Sequence, residues 1–250
     1  MSVMVFDTET TSLDKPFCYN IGYVVVDDEG EILKVADFVV EQIWHNLPLF
    51  QSAYYADKRP LYVKAMKCRK TKMDKFGYIC QQMIRDIKNF EITSAYAYNS
   101  PFDERVFDFN CDWFKCSNPF DLIPVFDIRG YAHQFICKNA EYKQFCEDNE
   151  LFTESGNYST TAEAVFRYIS QKIDFEEEHT ALSDSLIENE ILKEALASGA
   201  ELETSYPTIF SLAREVQKEL AIVENKEVLA VYPYKKITIN KERTKITLKN

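Results

Sequence analysis

Asp7 and Glu9 stand two positions apart at the end of the apolar run Val3-Met4-Val5-Phe6. Side chains at i and i+2 of a strand share one face, so both carboxylates point the same way. Like charges held that close repel strongly once water is withdrawn. A cation between them relieves the repulsion, and an all-oxygen donor set favours magnesium or manganese over zinc. The plainer alternative is an exposed strand end whose two acids face water. Further acidic signals downstream weigh against it.

Asp103 follows the turn Asn99-Ser100-Pro101, in which Ser100 reads as a helix N-cap with proline at the first helical position. An acid in that first turn complements the helix dipole and can complete a capping box, a purely structural role. The functional alternative puts Asp103 at the C-terminal mouth of a sheet, where α/β proteins build their sites. Asp184 is harder to read as structural. Ile187, Ile191 and Ala195 follow it on the same helical face, so this carboxylate shares an apolar stripe. A lone acid there is costly unless it is paired or bound to a metal. His179 lies five residues earlier in a polar segment, in a chain whose other histidines are His45 and His133. A lone histidine is more often structural, but beside a metal-binding helix it becomes a candidate base.

These residues need elements to hold them. Residues 3–6, 21–26 and 35–40 read as strands, and Asp27-Asp28-Glu29-Gly30 turns the last two into a hairpin. Residues 41–77 are aromatic and basic, with weak strand signals. Ile79, Met83, Ile84, Ile87 and Phe90 recur at helical spacing and predict a helix over 79–90. A strand at 95–98 and helices at 100–110, 141–150, 161–172 and 180–198 follow. Three meandering strands, then alternating helix and strand, predict an α/β architecture on a mixed central sheet. The main domain spans 1–204. Residues 205–250 read as an extension, with a helix at 208–223 and short strands at 227–232, 236–240 and 245–248.

The chain of 250 residues is long enough for one large core, and 46% of it is apolar. There is no signal peptide and no apolar run of membrane-spanning length. Seven cysteines with no CxxC pair argue against a disulfide framework and point to a reducing cytoplasm. The net charge of −11 looks wrong for a nucleic-acid binder, but it is uneven. Residues 58–75 hold eight Lys/Arg and one acid, and residues 235–250 hold six and one. A local basic strip engages phosphates whatever the global sign, whereas the simpler reading is a solvated loop. Within the first strip, Lys67, Arg69, Lys70 and Lys72 are the candidates for contact with a phosphate backbone.

Three segments together resemble a known family. Asp7-Thr8-Glu9-Thr10-Thr11-Ser12-Leu13, Tyr98-Asn99-Ser100-Pro101-Phe102-Asp103 and His179-Thr180-Ala181-Leu182-Ser183-Asp184 are similar, in order and spacing, to the three exonuclease motifs of the DEDD superfamily. The interval from His179 to Asp184 matches the subgroup with a catalytic histidine. That subgroup includes the proofreading epsilon subunit of bacterial DNA polymerase III, RNase T and oligoribonuclease. The resemblance covers residues 1–200. It departs from the family at Ser12, where glycine is usual, and at Tyr98, where many members have histidine; neither is a ligand or the base. The segment Thr160-Thr161-Ala162-Glu163-Ala164 has no counterpart role.

The resemblance implies a ribonuclease-H-like fold, a mixed five-stranded sheet flanked by helices. It implies two divalent ions, Mg²⁺ or Mn²⁺, with Asp7 bridging both, Glu9 and Asp184 completing one, and Asp103 holding the other. His179 would take the proton from the attacking water. Two such cations can stabilise both the attacking and the leaving oxygens of an in-line phosphoryl displacement. Leu13 and Phe102 would lie against the terminal base or sugar, Thr8 and Thr10 would cradle the 3′ nucleotide through the backbone, and Asn99 would sit beside the site.

The activity so implied is 3′→5′ hydrolysis from single-stranded or frayed DNA ends, in proofreading, replication or repair. An RNA-trimming enzyme is the alternative within the class, and a non-catalytic nucleic-acid-binding subunit the alternative outside it. The intact set Asp7, Glu9, Asp103, His179 and Asp184 argues against the last. A polymerase or a second copy of the chain stays open as partner; a membrane is not expected. Cys111, Cys116, His133 and Cys137 offer a zinc site on composition, though their spacing fits no standard pattern.

Overall fold

The structure, a computed structural model, describes residues 2–28, 30–208, 236–238 and 247–249. Its strands are β1 (Ser2–Thr10), β2 (Cys18–Asp27), β3 (Ile32–Val40), β4 (Lys72–Asp74), β5 (Ile92–Ala97), β6 (Val125–Asp127), β7 (Lys236–Thr238) and β8 (Thr247–Lys249). The first six form one mixed sheet in the order β4-β3-β2-β1-β5-β6. β1, β2 and β3 meander antiparallel, whereas β5 runs parallel to β1, β6 parallel to β5, and β4 parallel to β3. The sheet has six strands where five were expected. β4 and β6 are three residues each, too short to leave a period-2 pattern, and only pairing with a neighbour makes them strands.

The α-helices are α1 (Glu41–Trp44), α2 (Leu47–Gln51), α3 (Arg59–Lys67), α4 (Phe76–Asn89), α5 (Ser100–Phe114), α6 (Ile128–Ala132), α7 (Ala140–Asp148), α8 (Ala162–Ser170) and α9 (Ala181–Ala197). The five helices expected at 79–90, 100–110, 141–150, 161–172 and 180–198 correspond to α4, α5, α7, α8 and α9. The stretch at 41–77, where signals were weak, folds as α1–α3 and β4. In the extension, the expected strands at 236–240 and 245–248 overlap β7 and β8, which pair antiparallel. The expected helix at 208–223 and strand at 227–232 lie almost wholly or wholly outside the described residues.

β1 is buried on both faces, which is why it reads as an unbroken apolar run. Met4 and Phe6 enter one core with Ile79, Met83, Val106 and Phe107 of α4 and α5. Val3 and Val5 enter the other with Ile187, Ile191 and Ala195 of α9 and Tyr131 of α6. Each such side chain contributes about 1.5–3 kcal/mol on burial, so the central strand is held in register from both sides. A one-residue slip would exchange its two faces.

The chain beyond α9 returns to this layer. Glu203 N–H donates to Tyr96 Oη at 2.8 Å, and Tyr131 Oη donates to Glu201 O at 3.2 Å. Gly130 makes room for it, because a Cβ there would lie 2.2 Å from Tyr206 O. Among the described residues, no helix is long and apolar enough to cross a membrane.

Candidate functional site

β1 delivers Asp7 and Glu9 to its C-terminal end, and β2 prepares the surface on which their partner lands. Gly22 pairs with Asp7 and Asn20 with Glu9. A Cβ on Gly22 would lie 2.1 Å from Leu182 N and 2.3 Å from Ala181 C. Glycine is therefore what lets the first turn of α9 rest on the strand. Asn20, fully buried, ties that turn down: its Oδ1 accepts from Ala181 N–H at 2.8 Å. Its Nδ2 donates to Asp37 Oδ1 at 2.7 Å and to Phe38 O at 2.9 Å. Asn20 so caps α9 from a neighbouring strand, in the place of Thr180, whose side chain makes no cap bond. Ser185 Oγ adds a donor within 3.0 Å of Gly22 O.

Pinned in this way, α9 carries Asp184 to β1. Asp7, Glu9 and Asp184 each offer a carboxylate oxygen, all within 4.8 Å of one another. Asp103 is buried at the start of α5 and stands outside that trio. It receives Thr8 Oγ1 as donor at 2.6 Å. Thr8, expected to cradle substrate through its backbone, thus also orients a carboxylate. Asp103 is presented by a left-handed turn at Asn99 (φ 64°), whose N–H donates to Asp127 Oδ1 at 2.8 Å. Asn99, and not Ser100, is the N-cap position of α5. Ser100 occupies the first helical turn and donates to Glu104 Oε1 at 3.1 Å.

Burial pushes the Asp7, Glu9, Asp103 and Asp184 carboxyls above their ordinary range, and repulsion from Asp7 raises the other three further. Asp7 is opposed by a hydrogen bond from the Thr8 backbone. Tyr19 Oη donates to Glu9 Oε2 at a long 3.4 Å, and Asp184 Oδ1 is buried without a hydrogen-bond partner. A buried carboxylate oxygen left unpaired is expensive. An all-oxygen donor set, mutual repulsion and an orphaned oxygen together fit a hard divalent cation of the Mg²⁺ or Mn²⁺ kind.

The structure adds a fifth acid. Glu188, one turn beyond Asp184 on α9, is buried and accepts from Tyr98 N–H at 3.1 Å through Oε2. Burial, then Asp7 and Asp103, raise its carboxyl well above the usual range. Its i+4 relation to Asp184 was visible in the sequence, but an acid between Ile187 and Asn189 carries no motif. Tyr98, the departure from the family pattern, donates through its hydroxyl to Thr160 O at 2.7 Å. Arg129 Nη2 reaches Thr160 Oγ1 at 3.1 Å, so the unassigned 160–164 segment is anchored at the site's margin.

His179 occupies the left-handed region (φ 52°), a strained conformation for a side chain of this kind. Its ring stacks on Tyr55 with centroids 4.3 Å apart and planes 13° from parallel. Its Nδ1 lies 3.6 Å from Glu177 Oε2, an electrostatic contact too long for a hydrogen bond. Burial, then Lys58, hold its pKa below the ordinary value, with Glu163 opposing. Burial lifts Glu177 to about 7. Neither Tyr55 nor Glu177 had a signal in the sequence; both lie outside the three motifs and reach His179 only through the fold.

The remaining expected contacts divide. Leu13 is 74% exposed, and its carbonyl accepts from Arg105 Nη2 at 3.2 Å. Arg105 also lies over the half-buried Phe102 ring, 5.4 Å from its centroid. Thr10 Oγ1 donates to Ser12 O at 3.4 Å. Lys67, Arg69, Lys70 and Lys72 are all exposed. Lys70, with Lys64, lines a groove of about 380 Å³ between α3 and the start of α9, bounded by Glu178, Thr180 and Ser183. Lys72 is on β4, three strands from β1 and so roughly 14 Å away.

The zinc grouping is not as expected. Cys111 and Cys116 meet Cys80 of α4, not His133 and Cys137, because α4 packs beside α5 and the latter pair belongs to the opposite core. The described cysteines are all free thiols.

Comparisons with known proteins find likeness among solved structures. No family model matches this sequence, and no curated protein does. Among solved structures, the chain is similar to E. coli exonuclease I in complex with a dA16 oligonucleotide, at 12% sequence identity and a TM-score of 0.44. The similarity covers 79% of this chain and 41% of that one, so this chain spans less than half the length of its neighbour.

Proposed function

We propose that this chain is a metal-dependent 3′→5′ exonuclease that hydrolyses phosphodiester bonds at single-stranded or frayed 3′ ends of DNA. The observation that carries the reading is the convergence of Asp7, Glu9 and Asp184 within 4.8 Å, from two separate elements. Asp103 is coupled electrostatically to Asp7 at the margin of that trio. Asp7, Glu9, Asp103 and Asp184 would hold the Mg²⁺ or Mn²⁺ ions. Bound there, such ions supply Lewis acidity toward a phosphodiester and lower the pKa of a ligated water.

The chain's own residues do the rest. His179 is kept neutral at physiological pH by burial and Lys58, the state in which an imidazole accepts a proton from water. Tyr55 holds its ring by stacking, and Glu177 stands beside it. Leu13 and Phe102, the latter under Arg105, form the wedge against a terminal base. That wedge suits a splayed base better than a stacked pair. Lys64 and Lys70 face a groove that opens beside Thr180, a route for phosphate contacts that position without reading sequence.

The deciding experiment is degradation of end-labelled single-stranded DNA, duplex DNA and RNA, side by side with Mg²⁺. Stepwise loss from the 3′ end of single-stranded DNA is the expected result. Faster trimming of RNA would move the substrate and keep the chemistry. No hydrolysis of any of the three with Mg²⁺ or Mn²⁺ would end the reading.

A further inference from the structure

A second ligand set lies on the other side of the sheet, built from sulfur. Cys80 comes from the second turn of α4, Cys111 from the last turn of α5, and Cys116 from two residues past it. The end of α5 is what brings the last two together. Lys115 takes the left-handed conformation (φ 54°), and Cys116 N–H donates back to Cys111 O at 3.1 Å. This closes an αL cap and folds the chain over the helix end. The thiol of Cys116 thereby faces that of Cys111, with Cys80 completing a triangle. The three sulfur atoms all lie within 4.8 Å of one another.

Gly77, one turn before Cys80, borders the triangle without crowding it. A Cβ there would sit 3.4 Å from Cys116 Cβ and 3.9 Å from its sulfur. Cys80 and Cys111 are buried, whereas Cys116 is half-buried beside a groove of about 390 Å³ lined by Gly77, Gln81, Ile84, Lys115 and Ser117. We propose that Cys80, Cys111 and Cys116 bind one thiophilic metal ion of the Zn²⁺ class, with the fourth position open to water from this groove. Zn–S bonds of about 2.3 Å put tetrahedral sulfurs roughly 3.8 Å apart, a spacing this triangle accommodates by small side-chain shifts. Thiolate ligands reject Mg²⁺ and Ca²⁺, so the ion held here differs from the one suited to the carboxylates. Binding releases the thiol protons to solvent, and no bond is oxidised or reduced.

The ion's role follows from its place. It would clamp the C-terminal end of α5 to α4, while the N-terminal end of α5 carries Asp103, about 12 Å away along the helix axis. The proposal does not depend on the nuclease reading. Its test uses the full chain, reduced and stripped of metal, titrated with Co²⁺ and then Zn²⁺. One equivalent of Co²⁺ should produce a near-ultraviolet thiolate charge-transfer band that Zn²⁺ abolishes. Cys80→Ser, Cys111→Ser and Cys116→Ser should each lose that band and weaken Zn²⁺ binding on the order of 100-fold or more. Cys68→Ser and Asp7→Ala should keep it, which separates this site from the acidic one. Because a buried serine can unfold the protein, the wild type supplies a second readout. Zn²⁺ should protect Cys80, Cys111 and Cys116, but not the exposed Cys68, from iodoacetamide. Absence of a thiolate band, or equal alkylation of Cys116 with and without Zn²⁺, overturns the proposal.

Discussion

The acidic trio at the end of β1 and the sulfur triangle at the end of α5 are both three-ligand clusters, and they differ in what they need when empty. A protonated thiol is uncharged, so Cys80 and Cys111 can pack as small apolar groups without an ion, with Cys116 half-buried beside them. A carboxylate keeps its charge readily in water, so crowding Asp7, Glu9 and Asp184 into a desolvated place raises their pKa values and costs stability. The difference teaches that the oxygen cluster taxes the fold until a cation arrives, whereas the sulfur cluster is tolerated as core. A cluster that opposes folding when empty fits the metal-holding role proposed for it.

The sharpest break between the two regions is Asp7→Ala. It removes the carboxylate whose charge acts most on both Glu9 and Asp184, and it should abolish hydrolysis while leaving thiolate–metal binding intact. An Asp7→Ala protein that folds and cleaves at the wild-type rate would sink the mechanism. His179→Ala comes next. A general base contributes ~10²–10⁴-fold, so the rate should fall by that order while metal-induced thermal stabilisation survives. The rate of the wild type should rise with pH and level off below neutrality, because burial and Lys58 hold the His179 pKa down. A pH–rate profile of the variant should lack that limb.

Gly22→Ala tests how the acidic trio is assembled. The new methyl would meet the backbone of Ala181 and Leu182. Overpacking of this sort costs about 1–3 kcal/mol or more, and it should displace Asp184 before it unfolds the sheet. The expected outcome is a loss of kcat and of Mg²⁺ affinity at temperatures where circular dichroism is unchanged. Retention of full Mg²⁺ affinity would show that α9 does not need the close approach.

Stability against pH should separate the two clusters without any assay of activity. The folded pKa values of Asp7, up to about 7, and Asp184, up to about 9, exceed the unfolded ones near 4. Between those limits the folded state binds more protons than the unfolded state, so unfolding free energy falls as pH rises. Metal-free protein should therefore melt lower at about pH 8 than at about pH 6, and Mg²⁺ or Mn²⁺ should reverse the trend. Asp7→Asn should flatten the slope; Cys80→Ser should not. A metal-free melting temperature that climbs across this window would contradict the burial of these acids.

The smallest effect concerns the basic strip. Each phosphate neutralised on a single strand contributes a log–log salt slope of about −0.7. Replacing Lys64 and Lys70, which face the groove beside α9, should flatten the slope and raise KM. Replacing Arg69 and Lys72 should do less, since Lys72 is on the far edge strand. Equal slopes for both pairs and the wild type would reduce the strip to a solvated surface.

Much of this site was legible because its residues are local signals. Asp7 and Glu9 stand two apart on a strand, a relation that period 2 turns into a shared face. Asp184 interrupts an apolar helical stripe, and an acid in that place demands an explanation. The helix α4 buries one stripe and so leaves a clear 3.6-residue period. β4 and β6 left none, since three residues carry no pattern. The sulfur cluster was illegible for a related reason. Composition within one stretch offered Cys111 and Cys116 with His133 and Cys137, whereas the packing of α4 beside α5 supplied Cys80 from far upstream.

Sequence alone determined the donor types, the strand and helix that bear them, and the order of the three motifs, because these depend on side-chain chemistry and on periodicities of a few residues. Only the tertiary structure decided that Asn20 and Gly22 of β2 seat α9 on the sheet. It alone brought Glu188 beneath Tyr98, Tyr55 and Glu177 to His179, and three cysteines to one point. Those placements depend on which backbones approach within a few ångströms, and close approach between distant segments is set by packing, which no local pattern encodes.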